Sequence, residues 1–248
     1  MIEKIAYLWP EITLFLTTCV VMVIGLSKSY EVRKTCAWFC AVGLVIAAAL
    51  SINSPGANPG SLFPEWMPYL KLVISLVGLG LLLVAVGTVD RQLEERIAAG
   101  KAKYSAMYAT RAEFYAFFLF SLTGLMLCAS ADDLIWLFLA LELTSLPTYM
   151  MVVISTRGSR SQEAGVKYFF LGALGAAIFL YGFSLIYGAA GTTQIFAPEG
   201  QTSITTVLRP IFSGASEGMA TGNGSLALLG LILAIVGVSF KIARISPS

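Results

Sequence analysis

Histidine is absent from the chain. That removes haem ligation by imidazole, most zinc sites and any Ser-His or Cys-His nucleophile. Charge is scarce as well. Only 12% of residues are Asp, Glu, Lys or Arg, where a soluble domain carries about 25%. The 16 bases stand against 14 acids and are dispersed, so there is no basic stripe to hold a nucleic acid. Cys19, Cys36, Cys40 and Cys128 form no Cys-x-x-Cys pair, and they read as small residues of apolar packing, not as a disulfide or cluster framework. Gly78-Leu-Gly80 lacks the full G-x-G-x-x-G spacing and has no strand before it. With Gly87 it reads as a site of close helix packing. The first apolar run has no A-x-A cleavage site and is of full helix length, so no cleavable signal peptide is expected.

What is present is apolar sequence, 57% of the chain. A helix crosses a bilayer core of about 30 Å in about 20 residues. Spans are expected at about 12–26, 36–52, 72–89, 114–129, 133–154, 167–188 and 225–243. The fold class is therefore an all-α polytopic membrane protein of about seven transmembrane helices, with residues 1–248 as a single transmembrane domain. Trp9-Pro10-Glu11 opens the first span: Trp9 suits an interfacial anchor, Pro10 a helix start, and Glu11 the membrane surface beside the helix N-terminus. Trp66 and Tyr69 suit an interfacial belt. Asp90–Glu113 reads as a solvated, charged loop. Ile204–Phe212 reads as a short amphipathic piece lying on the membrane. Loops after the first, third and fifth spans carry Lys28, Arg33, Lys34, Arg91, Arg96, Lys101, Lys103, Arg111, Arg157 and Arg160. The other side has Lys4, Lys71 and Arg209. The positive-inside rule then puts the N-terminus outside and the C-terminus in the cytoplasm, which fits a multi-pass protein of a bacterial inner membrane.

Within this apolar background Asp132–Ser155 holds one ionisable residue near its middle, Glu142. A charge there costs at least ~2.5–3.5 kcal/mol on insertion scales. Helical spacing puts Ser145 and Tyr149 on the Glu142 face. Pro147 has no N–H and frees the carbonyl of Leu143, so this face should look into protein or water. Glu142 could be a protonated carboxyl kept for helix packing, but ion or proton passage is the better reading. Lys241 falls late in the last span, and burial or snorkelling suits it equally. Lys167 lies about one turn from a surface, and from spacing alone it reads as a base snorkelling to the headgroups. A buried lysine is pushed toward neutrality by desolvation and toward charge by a nearby carboxylate, so a Glu–Lys pair that opens and closes can gate a proton.

The segment Leu141-Glu-Leu-Thr-Ser-Leu-Pro-Thr-Tyr149 resembles the fifth helix of subunit N of proton-pumping NADH:quinone oxidoreductase (respiratory complex I), a member of the antiporter-like membrane subunits. Arg111-Ala-Glu-Phe-Tyr115 is similar to the approach to that subunit's fourth helix. Glu163-Ala-Gly-Val-Lys-Tyr-Phe169, with Leu180-Tyr-Gly182, is similar to its sixth, Gly191-Thr-Thr193 to the turn that follows, and Gly237-Val-Ser-Phe-Lys-Ile-Ala243 to its broken seventh. The resemblance implies a membrane-arm subunit with no redox chemistry of its own. NADH, FMN, iron–sulfur clusters and quinone would belong to partner subunits, and protons would pass by way of Glu142, Lys167 and Lys241. A subunit of a multi-subunit sodium/proton antiporter shares the ancestral helices and is the alternative; a non-functional membrane fragment is the third. The family pattern continues with Pro-Phe-His-x-Trp-x-Pro-Asp and a second, inverted repeat, where this chain has Arg244-Ile-Ser-Pro-Ser248. The resemblance thus implies a C-terminally truncated, N-terminal half of an antiporter-like bundle, without a complete translocation path.

Overall fold

Long apolar runs broken by Pro, Gly and charge give helices, and nine are found among the described residues of the computed structural model, which are 7–27, 29–53, 65–89, 111–155, 159–196, 202–212 and 222–242. They are α1 (Trp9–Gly25), α2 (Tyr30–Lys34), α3 (Cys36–Asn53), α4 (Met67–Thr88), α5 (Arg111–Ala129), α6 (Leu134–Ser155), α7 (Ser159–Ala190), α8 (Ile204–Phe212) and α9 (Gly222–Ile242). Among the described residues six helical stretches are long and apolar enough to cross a membrane, and α1 is a shorter apolar helix. The protein is an all-α polytopic membrane protein. Its outward faces carry large apolar side chains such as Trp38, Leu83 and Phe170, as a bundle solvated by lipid requires. Residues 54–64 and 90–110, most of the two loops expected there, lie outside the described residues, as do Arg157 and the closing Arg244–Ser248.

Helix starts and stops follow local chemistry. Proline stands in the first turn of α1 and of α4, where its missing N–H removes no helical bond. α7 runs 32 residues and begins eight residues before the expected span. It ends at Gly191, whose φ of 68° is open to glycine without strain and whose N–H caps the Tyr187 carbonyl at 2.7 Å.

The helices pack as two groups. α1, α3, α4 and α5 surround one core containing Leu14, Leu44, Leu82, Tyr115 and Leu119. α6, α7, α8 and α9 surround another containing Leu134, Phe179, Phe183, Ile186 and Ile204. α5 and α6 join the groups as an antiparallel hairpin. The turn between them, 130–133, is stitched to the segment after α7: the Leu134 N–H donates to Thr193 O at 2.9 Å, and the Ile195 N–H to Asp132 O at 3.0 Å. The N–H of Ile204 at the start of α8 donates to Gln194 O at 3.0 Å. The α8 residues match the expected amphipathic piece, with Ile204 buried and Leu208 packed on the second core.

Glycine sets the closest helix pair. A Cβ at Gly182 of α7 would lie 2.6 Å from the Ala234 nitrogen of α9, and one at Gly237 of α9 would lie 2.6 Å from the Phe179 nitrogen of α7. Backbones therefore touch there, as small residues permit in lipid. The expectation for α4 is only partly met. Gly78 meets Leu122 at 2.6 Å, but nothing lies within 4 Å of a Cβ at Gly80 or Gly87, because those positions face away from the bundle. Cys36 and Cys40 are buried as expected, whereas Cys19 is exposed on the outer face of α1.

Candidate functional site

Glu142 lies in the third turn of α6, and Lys241 is the penultimate residue of α9. The α7–α9 contact holds Lys241 four residues past Gly237, one turn beyond the tightest backbone approach. From there the Lys241 ammonium donates to Glu142 Oε1. The lysine is 9% and the glutamate 20% exposed, so the pair is nearly shut off yet not closed over. The ammonium also lies 3.4 Å from Ser145 Oγ, one turn along α6. The Ser145 hydroxyl itself donates to Leu141 O at 2.7 Å. Tyr149, 4% exposed, is within hydrogen-bonding reach of Ser145. Its hydroxyl lies over Gly172 of α7, where a Cβ would come within 1.9 Å of it. Glu142, Ser145 and Tyr149 therefore share a face, and that face meets α7 and α9.

Pro147 sits inside α6 without ending it. The stretch around it is dense in hydroxyl bonds. Thr144 Oγ1 donates to Ala140 O at 2.9 Å and Thr148 Oγ1 to Ser145 O at 2.6 Å. Ser121 of α5 reaches across to donate to Thr144 O at 3.0 Å. Gly124 of α5 lets the same residue approach, since a Cβ there would lie 2.5 Å from the Thr144 nitrogen. The carbonyl that Ser121 engages is thus Thr144, next to the Leu143 carbonyl expected to be freed. Side-chain hydroxyls rejoin the backbone at a proline break in this way.

Lys167 is not brought to this pair. It faces outward from α7, 70% exposed, and bonds Glu163 at 2.6 Å on its own helix. That is an i, i+4 pair in the favoured order, and solvent screens it.

A second ion pair escaped the reading of the sequence. Glu11 is in the first turn of α1, as expected, but it is turned into the bundle: it is 3% exposed and bonded to Lys71 at 2.6 Å, with Lys71 at 0%. Lys71 is the fifth residue of α4, and both helices start at the end of the bundle where α5 stops. Lys71 also donates to Tyr7 O at 2.6 Å, and Ser130 Oγ donates to Glu11 Oε1 at 2.8 Å. Lys71 therefore does not count as a loop base. The available signal was two opposite charges, each close to the start of an apolar run.

Among the described residues no group of three His, Cys, Asp or Glu side chains is placed to hold a metal. The site consists of one carboxylate, one ammonium and a line of hydroxyls. Such a set can hold, release and hand on a proton.

Comparison with known proteins follows the same lines. A family described as "NADH:quinone oxidoreductase/Mrp antiporter, TM" matches residues 131–246, which include Glu142, Lys167 and Lys241. The F(420)H(2) dehydrogenase subunit N of Methanosarcina mazei is 30% identical over 98% of this chain and 45% of its own length. The NADH-quinone oxidoreductase subunit N of Rhizorhabdus wittichii is 30% identical over 99% of this chain and 46% of its own. Among solved structures, a chain of respiratory complex I from Thermus thermophilus is similar with a TM-score of 0.59 and 26% identity, over 94% of this chain and 43% of that one. The chain thus spans about half the length of the curated relatives it matches.

Proposed function

Because this chain belongs to the antiporter-like membrane subunits of the NADH:quinone oxidoreductase/Mrp family, in its subunit N branch, we propose that it serves in the membrane arm of an NADH:quinone oxidoreductase and takes part in proton translocation there. The observation that carries this reading is the Glu142–Lys241 pair, drawn from helices 99 residues apart and set in an apolar bundle. With the pair closed, each charge stabilises the other. When α6 and α9 separate, each group loses that partner. In this reading a helix movement that opens and closes the pair gates a proton.

Ser145 and Tyr149 extend the pair along α6, away from the 130–133 turn. On the other side, Leu137, Phe138, Leu141, Phe179 and Phe183 form an apolar plug. If the N-terminus lies outside, the hydroxyl line points to the cytoplasm, and Lys167 with Glu163 stands near its mouth as a surface base that collects protons. Redox energy would come from partner subunits holding NADH, FMN, iron–sulfur clusters and quinone. The other membrane subunits of complex I and the lipid bilayer are the neighbours this reading requires. The two curated relatives named above, matched over nearly all of this chain, are subunit N proteins, which favours this reading over a sodium/proton antiporter.

The test is Glu142→Gln in the native membrane complex, with proton translocation measured by a fluorescent ΔpH probe and subunit level by immunoblot. Translocation should fall by most of its value while the level falls little. Full pumping in an assembled Glu142→Gln complex would overturn the assignment. Co-purification with NADH-oxidising subunits separates this reading from the antiporter one.

A further inference from the structure

The two buried ion pairs are built differently. Glu142–Lys241 has residual exposure and joins two helices of one group. Glu11–Lys71 is closed over, and its members are tied to other elements as well: Lys71 to the Tyr7 carbonyl and Glu11 to the Ser130 hydroxyl. One oxygen of Glu11, Oε2, is buried and has no hydrogen-bond partner. A charged pair sealed so fully is weak support for stability in itself, and the best-attested use of such pairs is to fix register.

We propose that Glu11, Lys71 and Ser130 form a positioning lock that sets the register of the α5–α6 hairpin, and through it the placement of Glu142. This rests on the role assigned to Glu142 above. Ser130 is the first residue after α5 and the last tie before the hairpin turn. α5 in turn grips α6 beside Glu142, with Ser121 Oγ on Thr144 O and Gly124 against the Thr144 nitrogen. The ends of α1 and α4, the stop of α5 and the mid-membrane grip on Thr144 are thus one continuous set of contacts. A shift of α5 at Ser130 displaces Thr144, which precedes Ser145 and lies two residues from Glu142. Glu11, Lys71 and Ser130 act through α5 and are positioning residues, not proton carriers.

Cys128 reports this directly. Its thiol, two residues before Ser130 on α5, is within hydrogen-bonding reach of the Thr144 side chain, and it is partly exposed. Cys36 and Cys40 are buried on α3. The experiment is labelling of the full chain in its native membranes with N-ethylmaleimide, the rate at each cysteine being read by peptide mass spectrometry. Ser130→Ala leaves both charges in place and should raise the Cys128 rate several-fold while Cys36 and Cys40 stay protected. Lys71→Met should raise it further. In the double variant Glu11→Gln, Lys71→Met the amide keeps an acceptor for the Ser130 hydroxyl, and the Cys128 rate should return toward the wild-type value. An unchanged Cys128 rate in Ser130→Ala, a parallel rise at all three cysteines, or no recovery in the double variant would each overturn the lock. Labelling requires no proton translocation, so the lock can fail while Glu142→Gln still abolishes pumping, and the reverse result is equally readable.

Discussion

Removing the lysine and removing the carboxylate are different experiments at the Glu142 site. Lys241→Ala leaves Glu142 without its ammonium partner, so there is no pair left to open and close. Proton translocation should drop about as far as in Glu142→Gln, measured in the same vesicles. A charge-exchanged double variant, Glu142→Lys with Lys241→Glu, should recover part of it if the two groups act on each other directly. Breaking a buried pair by removing one partner costs roughly 3–5 kcal/mol where the remaining charge cannot neutralise. Lys167 provides the contrast. It is exposed and held only by Glu163, so Lys167→Ala should lower translocation well short of the Lys241→Ala loss. Equal losses in the two variants would contradict the peripheral place given to Lys167.

At the scale of elements, the α7–α9 contact is the one on which Lys241 depends. Gly182→Val would drive a side chain into the Ala234 backbone, where a Cβ already falls at 2.6 Å. Overpacking of this kind costs about 1–3 kcal/mol, to be seen as a lower melting temperature of the detergent-solubilised protein. Gly80→Val on α4 meets nothing within 4 Å and should leave that temperature where it was. The same contrast explains what sequence can and cannot reveal. Helix number and approximate place were legible because a bilayer demands long apolar runs. Glu142 and Lys241 were legible because a charge is conspicuous inside such a run. That they are bonded depends on how α9 packs on α7, with Gly182 against Ala234 and Gly237 against Phe179, which no spacing along one helix encodes. Glu11 was read as a surface group because it stands in an opening turn, and Lys71 was counted as a base of the loops because it precedes an apolar run. Only the convergence of α1, α4 and Ser130 at one end of the bundle buries them.

For the whole molecule, the decisive quantity is size in the native membrane. The chain spans less than half of its curated relatives, and Arg244-Ile-Ser-Pro-Ser248 stands where the family pattern continues with its histidine-containing motif. An antibody against the Asp90–Glu113 segment, applied to a denaturing gel and to a native gel stained for NADH dehydrogenase activity, reads both mass and company. A band near 26.5 kDa that comigrates with the activity would mean that a half-length subunit assembles and that other chains supply the second repeat. A band about twice as large would assign the reading to a longer subunit N.

The 99 residues between Glu142 and Lys241 also have a meaning in time. Ribosomes add about 5–20 residues per second, so α6 reaches the translocon roughly 5–20 s before its lysine has been made. During that interval Glu142 has its own helix, α5 and the emerging α7 for neighbours, and no ammonium partner. The pair is therefore not inserted as a pair. It closes only when α9 arrives.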